Sequence, residues 1–322
     1  MQVTRALEPL LPLCQRLLPN LPSLPAVPVR LAGLSAALLK ATALEIAILA
    51  GHLLLYPSGI IQERRAASPA DGPGTGDPGG AGGVGGVDGT GAGSDSGDAH
   101  GPVPLPTQAP PPVVLLHGFI DNRSVFVLLR RSLAQHGRHR VESLNYSPLT
   151  CDIRTAAELL GRHIEEICTR TGSSRVDVVG HSLGGLIARY YAQRLGGDVR
   201  VRTLVTLGTP HSGTRVAPLA NAHPIVRQMR PGSALIEELS RPAPGCRTRF
   251  VSFWSDLDHL MDPLESACVD HPDLLARNIR VTGIGHLALP VHPAVATGIR
   301  QALDSVPEDA ETAPAAGGLT VA

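Results

Sequence analysis

The run Arg175-Val176-Asp177-Val178-Val179 passes without a break into Gly180-His181-Ser182-Leu183-Gly184-Gly185 and then into the apolar stretch Leu186-Ile187-Ala188-Arg189-Tyr190-Tyr191-Ala192. A β-branched strand therefore feeds a G-x-S-x-G turn that opens a helix, the arrangement of a nucleophile elbow. A turn this tight forces Ser182 into a strained backbone conformation, and Gly180 and Gly184 permit it because they carry no side chain to collide with it. The hydroxyl is then held at the end of the strand, at the positive pole of the following helix. The flanking strand and helix supply the context without which the short string would say little.

From about residue 112 the chain alternates strand and helix signals. Val113-Val114-Leu115-Leu116 is a continuous apolar run suited to a strand buried on both faces. A helical stretch from Ser124 to Gln135 follows, then the strand-like Val141 to Leu144. Over Asp152 to Arg170, Ile153, Ala156, Leu160, Ile164 and Ile167 recur at three- and four-residue spacing and predict an amphipathic helix. The elbow strand and its helix come next, then strands at Val201 to Leu207, Arg249 to Trp254 and Asn278 to Thr282, and a closing helix from Pro293. Such alternation predicts an α/β fold, a mostly parallel sheet with helices on both faces. The catalytic domain is expected over residues 113–305, with a minimal lid or none.

The remainder is of a different composition. Residues 66–112 are dominated by glycine, proline, serine, alanine and aspartate and read as a flexible tether, spanning roughly 35–40 Å by random-coil scaling. The tail 306–322 reads as disordered for the same reason, and residues 1–30 form a segment rich in proline and leucine. Residues 31–57 are apolar over a length that suits a membrane-spanning helix, although Lys40 and Glu45 lie within them. Three readings stay open: a membrane anchor, a cleaved export signal, or an amphipathic helix lying on a membrane or on the protein itself. The first places the protein at the cell membrane with its catalytic domain extracytoplasmic; secretion is the alternative.

Twenty-eight basic residues balance twenty-eight acidic ones, so no global field points to nucleic acid as a partner. Five cysteines are too few for a disulfide scaffold. Cys151 and Cys168 flank one predicted helix, which at about 1.5 Å per residue separates them too far to bond. Cys246 with Cys268 is the better pair if any forms, and buried free thiols are the alternative.

A serine hydroxyl becomes a nucleophile when an imidazole removes its proton, and the imidazole needs a carboxylate to fix its tautomer. The elbow arrangement presents these groups in the chain order serine, acid, histidine. His286, in Val281-Thr282-Gly283-Ile284-Gly285-His286, sits in a glycine-flanked loop just past the last predicted strand and is the candidate base. Two carboxylates, Asp256 and Asp258, follow the strand ending at Trp254. Asp258 lies farther into the loop and is the candidate acid; Asp256 is the alternative, suited otherwise to capping the turn. The oxyanion needs two amide donors. Leu183, after the nucleophile, supplies one, and Phe119, in the turn His117-Gly118-Phe119 after the first domain strand, supplies the other. His117 is expected to bond within its loop. Thr209-Pro210-His211-Ser212-Gly213 is either part of the pocket rim or a simple turn. His259 and His271, with Asp262, Asp270 and Asp273, lack the spacing of a metal site, and no cofactor or metal is expected.

These motifs, Val-Leu-Leu-His117-Gly118-Phe119, Gly180-His181-Ser182-Leu183-Gly184-Gly185, Leu207-Gly208-Thr209-Pro210-His211, Trp254-Ser255-Asp256-Leu257-Asp258 and Gly283-Ile284-Gly285-His286, occur in an order that resembles the bacterial lipase branch of the α/β-hydrolases. The likeness is to the small lid-less lipases of Bacillus and to actinobacterial triacylglycerol lipases, over residues 112–304. It implies that the acid is the third residue after Ser255, which is Asp258. It also implies hydrolysis of carboxylic esters, acylglycerols among them, with a lipid or small ester as partner. A membrane-tethered acyltransferase or lipid deacylase would carry the same triad, and a non-catalytic binding module would carry a damaged one. Acyl chain length and oligomeric state are not encoded in these motifs.

Overall fold

The computed structural model describes residues 42–51, 109–119, 121–146, 152–216 and 223–305. Residues 1–30, the tail 306–322, Lys40 and nearly all of the tether at 66–112 lie outside the described residues. Six strands form one sheet: β1 (Val113–Leu116), β2 (Val141–Leu144), β3 (Val176–His181), β4 (Val201–Leu207), β5 (Arg249–Ser255) and β6 (Leu275–Val281). Their order is β2-β1-β3-β4-β5-β6, and every neighbouring pair is parallel. A parallel pair needs a crossover between its strands, and helices provide most of them. These are α2 (Val127–Gln135), α3 (Ile153–Thr171), α4 (Leu183–Arg194), α5 (Pro224–Gln228) and α6 (Ala234–Ser240), with α7 (Pro293–Asp304) after the last strand. A further helix, α1, covers residues 42–51.

Alternation along the strands divides the core into two layers. Val114 and Leu116 of β1 join Leu160, Ile164 and Ile167 of α3 and Leu186 and Ile187 of α4 on one face. Val113 and Leu115 join Phe126, Leu129 and Leu133 with Val295 and Ile299 of α7 on the other. Each of these side chains is at most 1% exposed, and burying one contributes about 1.5–3 kcal/mol. Local sequence sets the helix ends: Asp152 Oδ1 accepts the Thr155 N–H at 2.7 Å to start α3, and Gly172, at φ 68°, ends it. The amino edge of the sheet is closed by an ion cluster in which the fully buried Asp177 of β3 meets Arg138 at 3.1 Å and Arg202 at 2.6 Å.

Three expectations change. The first concerns the apolar segment 31–57. Among the described residues no helix is long and apolar enough to cross a membrane. The part that is described, α1, belongs instead to the same compact unit as the sheet, with Ile48 packed against the second core layer. Residue 45 explains the difference, because its carboxylate accepts two backbone N–H groups of that unit. Second, Cys246 and Cys268 are free thiols, not a bridge. Cys246 packs against the first core layer as a small apolar group, and burial pushes the Cys268 thiol up to about 11. Third, α5 and α6 occupy the stretch between β4 and β5, where no helix is expected above, and β6 begins at Leu275, three residues ahead of its expected start.

Candidate active site

The elbow forms at the carboxyl edge of the sheet, where β3 ends. Ser182 has φ 52° and ψ −118° and is the one residue other than glycine with positive φ among the described residues. Its N–H donates to Leu207 O at 2.8 Å, and its carbonyl accepts from Thr209 Oγ1 at 3.0 Å, so the end of β4 clamps the strained turn from both sides. Gly180 is obligatory for a steric reason, since a Cβ there would stand 2.6 Å from Gly185 Cα. Ser182 itself is half-buried.

His286 stands in the loop between β6 and α7, and the loop after β5 brings Asp258 to it. The imidazole Nδ1–H donates to Asp258 Oδ2 at 2.7 Å, and both side chains are buried. This bond leaves Nε2 as the basic nitrogen. Asp258 is itself oriented, its Oδ1 accepting the Leu260 N–H at 3.0 Å. Asp256 faces elsewhere: it accepts from Arg280 and from the Gly283 N–H, both at 3.1 Å. Burial alone lowers the pKa of His286, but the charge of Asp258 and its hydrogen bond, with smaller contributions from Asp121 and Glu45, more than offset that, and the net shift is upward.

The His286–Asp258 pair lies against the strand that clamps the elbow. At Gly208, the residue after β4, a Cβ would stand 2.8 Å from Asp258 Oδ2 and 2.9 Å from His286 Nδ1. The imidazole of His181, the residue before Ser182, is 4.8 Å from that of His286, centroid to centroid. Ser182 Oγ and His286 make no hydrogen bond here; in free enzymes such contacts are often long and tighten when substrate binds.

The oxyanion donors named from sequence lie on segments that adjoin Ser182. Leu183 is the first residue of α4, so its N–H has no acceptor within the helix. Gly184 lies so close to the end of β1 that a Cβ would stand 2.7 Å from His117 O. A Cβ on Gly118 would stand 3.4 Å from Ser182 Cβ, which places the turn carrying Phe119 beside the nucleophile. The Phe119 ring meets His223, the N-cap of α5, edge-on at 5.4 Å. His117 bonds within its own turn, Nδ1 to Gly118 O at 2.9 Å, and stacks on Tyr146 at 4.4 Å. Burial, first among its influences, lowers its pKa, as burial does for His211. His211 is internal, bonding Thr206 Oγ1 through Nε2 at 3.0 Å while its carbonyl accepts from Arg189 at 3.0 Å. The Thr209–Gly213 stretch thus braces the elbow from inside.

Three contacts had no signal in the sequence: the approach of Gly208 to the pair, the bonds of Glu45, and a second buried histidine–carboxylate contact in which His181 Nδ1 lies 3.1 Å from Asp121 Oδ2 and Nε2 lies 3.2 Å from His286 O. Each joins distant parts of the chain. Among the described residues no group of three histidine, cysteine or acidic side chains is placed to hold a metal ion.

A family model described as the alpha/beta hydrolase fold matches residues 111–239, from the start of β1 through α6. The fold is that of an α/β hydrolase. Among solved structures, the Bacillus licheniformis lipase BlEst2 in its propeptide form aligns with a TM-score of 0.53 at 17% identity, covering 66% of this chain and 54% of its own. Aspergillus fumigatus lipase B aligns with a TM-score of 0.55 at 18% identity, covering 62% and 54%. In sequence, the chain is similar to triacylglycerol lipases of Pseudarthrobacter phenanthrenivorans, 31% identical over 114 residues, and of Vibrio cholerae, 29% identical over 169 residues. The matches cover 33% of this chain and 35% of the first relative, and half of each chain for the second. The chain thus spans a third to a half of the length of the relatives it matches.

Proposed function

We propose that this α/β hydrolase is a serine carboxylic-ester hydrolase of lipase type. Ser182 Oγ attacks the ester carbonyl as His286 Nε2 takes its proton; the amides of Leu183 and Phe119 receive the developing oxyanion. His286 then protonates the leaving alcohol, which leaves an acyl ester on Ser182. Water, deprotonated by the same imidazole, releases the acid and restores the serine. Asp258 keeps Nδ1 protonated and stabilises the imidazolium throughout.

The observation that carries this reading is the buried 2.7 Å contact of His286 Nδ1 with Asp258 at the sheet edge where the elbow presents Ser182. The names of the relatives favour acylglycerols and related lipid esters as substrates. Ser182→Ala should abolish turnover of p-nitrophenyl butyrate while circular dichroism and Tm stay those of the wild type. Turnover undiminished by that replacement eliminates the assignment.

A further inference from the structure

We infer that Glu45 is a positioning residue for His286, holding from α1 the backbone that carries the imidazole. His286 belongs to a stretch with neither helix nor strand between Val281 and Pro293, so its place is set by whatever grips it from outside. Asp258 grips the ring, and His181 Nε2 approaches the carbonyl at 3.2 Å. Glu45 grips the two peptides that follow: Oε2 accepts the Leu287 N–H at 3.1 Å and Oε1 accepts the Ala288 N–H at 3.0 Å. One carboxylate spanning consecutive amides restrains rotation as well as position, and charge-assisted bonds to amides are stronger than neutral ones.

The fit is made on both sides of the contact. Gly285 leaves the space that the glutamate fills, because a Cβ there would stand 2.6 Å from Glu45 Cγ. On α1 the partly covered residues are 45, 48 and 51, one stripe at three-residue spacing, while the other seven are exposed. Ile48 seats that stripe on the second core layer and Glu45 stands one turn before it. The titratable groups facing His286 are Asp258 from the loop after β5, Asp121 from the loop after β1, His181 at the end of β3, and Glu45 from α1. All three carboxylates favour the protonated imidazole, so removing one lowers the pH at which the base becomes free.

This inference rests on the esterase reading, and the test separates the two. Full-length wild type, Ser182→Ala, Glu45→Ala and Glu45→Gln are assayed with p-nitrophenyl butyrate across pH, with competent sites counted by a fluorophosphonate that labels Ser182. A silent wild type, or an active Ser182→Ala, defeats the esterase reading. Given an active wild type and an inactive Ser182→Ala, Glu45→Ala should lower kcat per labelled site about tenfold with KM within about twofold. Glu45→Gln keeps one acceptor oxygen and should lose less. In both variants the acid limb of kcat/KM should move to lower pH, because the charge is gone. A helix that merely props up the fold predicts something else: a lower Tm with kcat per site and the acid limb both unchanged, and that result overturns the proposal. If Glu45→Ala does not fold, an unmoved acid limb in the near-isosteric Glu45→Gln overturns it equally.

Discussion

At the scale of single residues, the two aspartates after β5 show how identical side chains two residues apart come to different ends. Asp258 meets an imidazole in a buried setting, and Asp256 meets Arg280 and a backbone N–H near the surface. Asp258→Asn should therefore lower kcat/KM by roughly 10²–10⁴, because the amide no longer holds the productive tautomer, whereas Asp256→Asn should stay within about threefold. The pH profile carries the same information. The pKa of His286 is raised, and the base must be neutral to act, so activity should rise with pH through a limb above the ordinary histidine value of about 6.5. A profile of kcat/KM that is flat from pH 6 upward contradicts the raised value. The elbow at Ser182 and the pairing of His286 with Asp258 were legible in the sequence, the elbow because strand, turn and helix are contiguous around it. Asp121 and His181 were not paired in advance, since nothing local brings residues 121 and 181 to a 3.1 Å contact.

Among elements, the end of β4 does more for the site than its sequence suggests. It clamps Ser182 through Leu207 O and Thr209 Oγ1 and backs the His286–Asp258 pair with Gly208, whose φ is 51°. Gly208→Ala adds a methyl where the nearest atoms are the carboxylate and imidazole themselves. It should displace them and lower kcat by at least about tenfold, with a stability loss of about 1–3 kcal/mol from the unfavourable φ; unchanged kcat per folded molecule rules out this account. Strand and helix positions could be read from periodicity because β1, α3 and α4 each bury a continuous face. The helices α5 and α6 could not, being short pieces of five and seven residues that draw their order from the core they cover.

For the whole molecule, stability and chemistry sit at opposite edges of the sheet. Asp177, with Arg138 and Arg202, lies at the amino edge, and Arg138 is 5% exposed. Asp177→Ala leaves the buried guanidinium of Arg138 with Asp304 and Leu303 O as its remaining partners and should cost about 1–3 kcal/mol, read as a fall in Tm of roughly 2–12 °C, while kcat per folded molecule holds steady. A variant that melts like the wild type refutes the role given to that cluster. The broad α/β plan was legible because alternating strands and helices admit few topologies. The packing of α1 was not: the composition around it suits a bilayer as well as a protein surface, and Glu45 finds its partners 242 and 243 residues away.

That separation orders events in time as well as in space. A chain is made from its amino terminus, so α1 leaves the ribosome long before the residues it will grip exist. A nascent polypeptide can assemble most of its sheet while this early-made helix still awaits the late-made loop that it will hold.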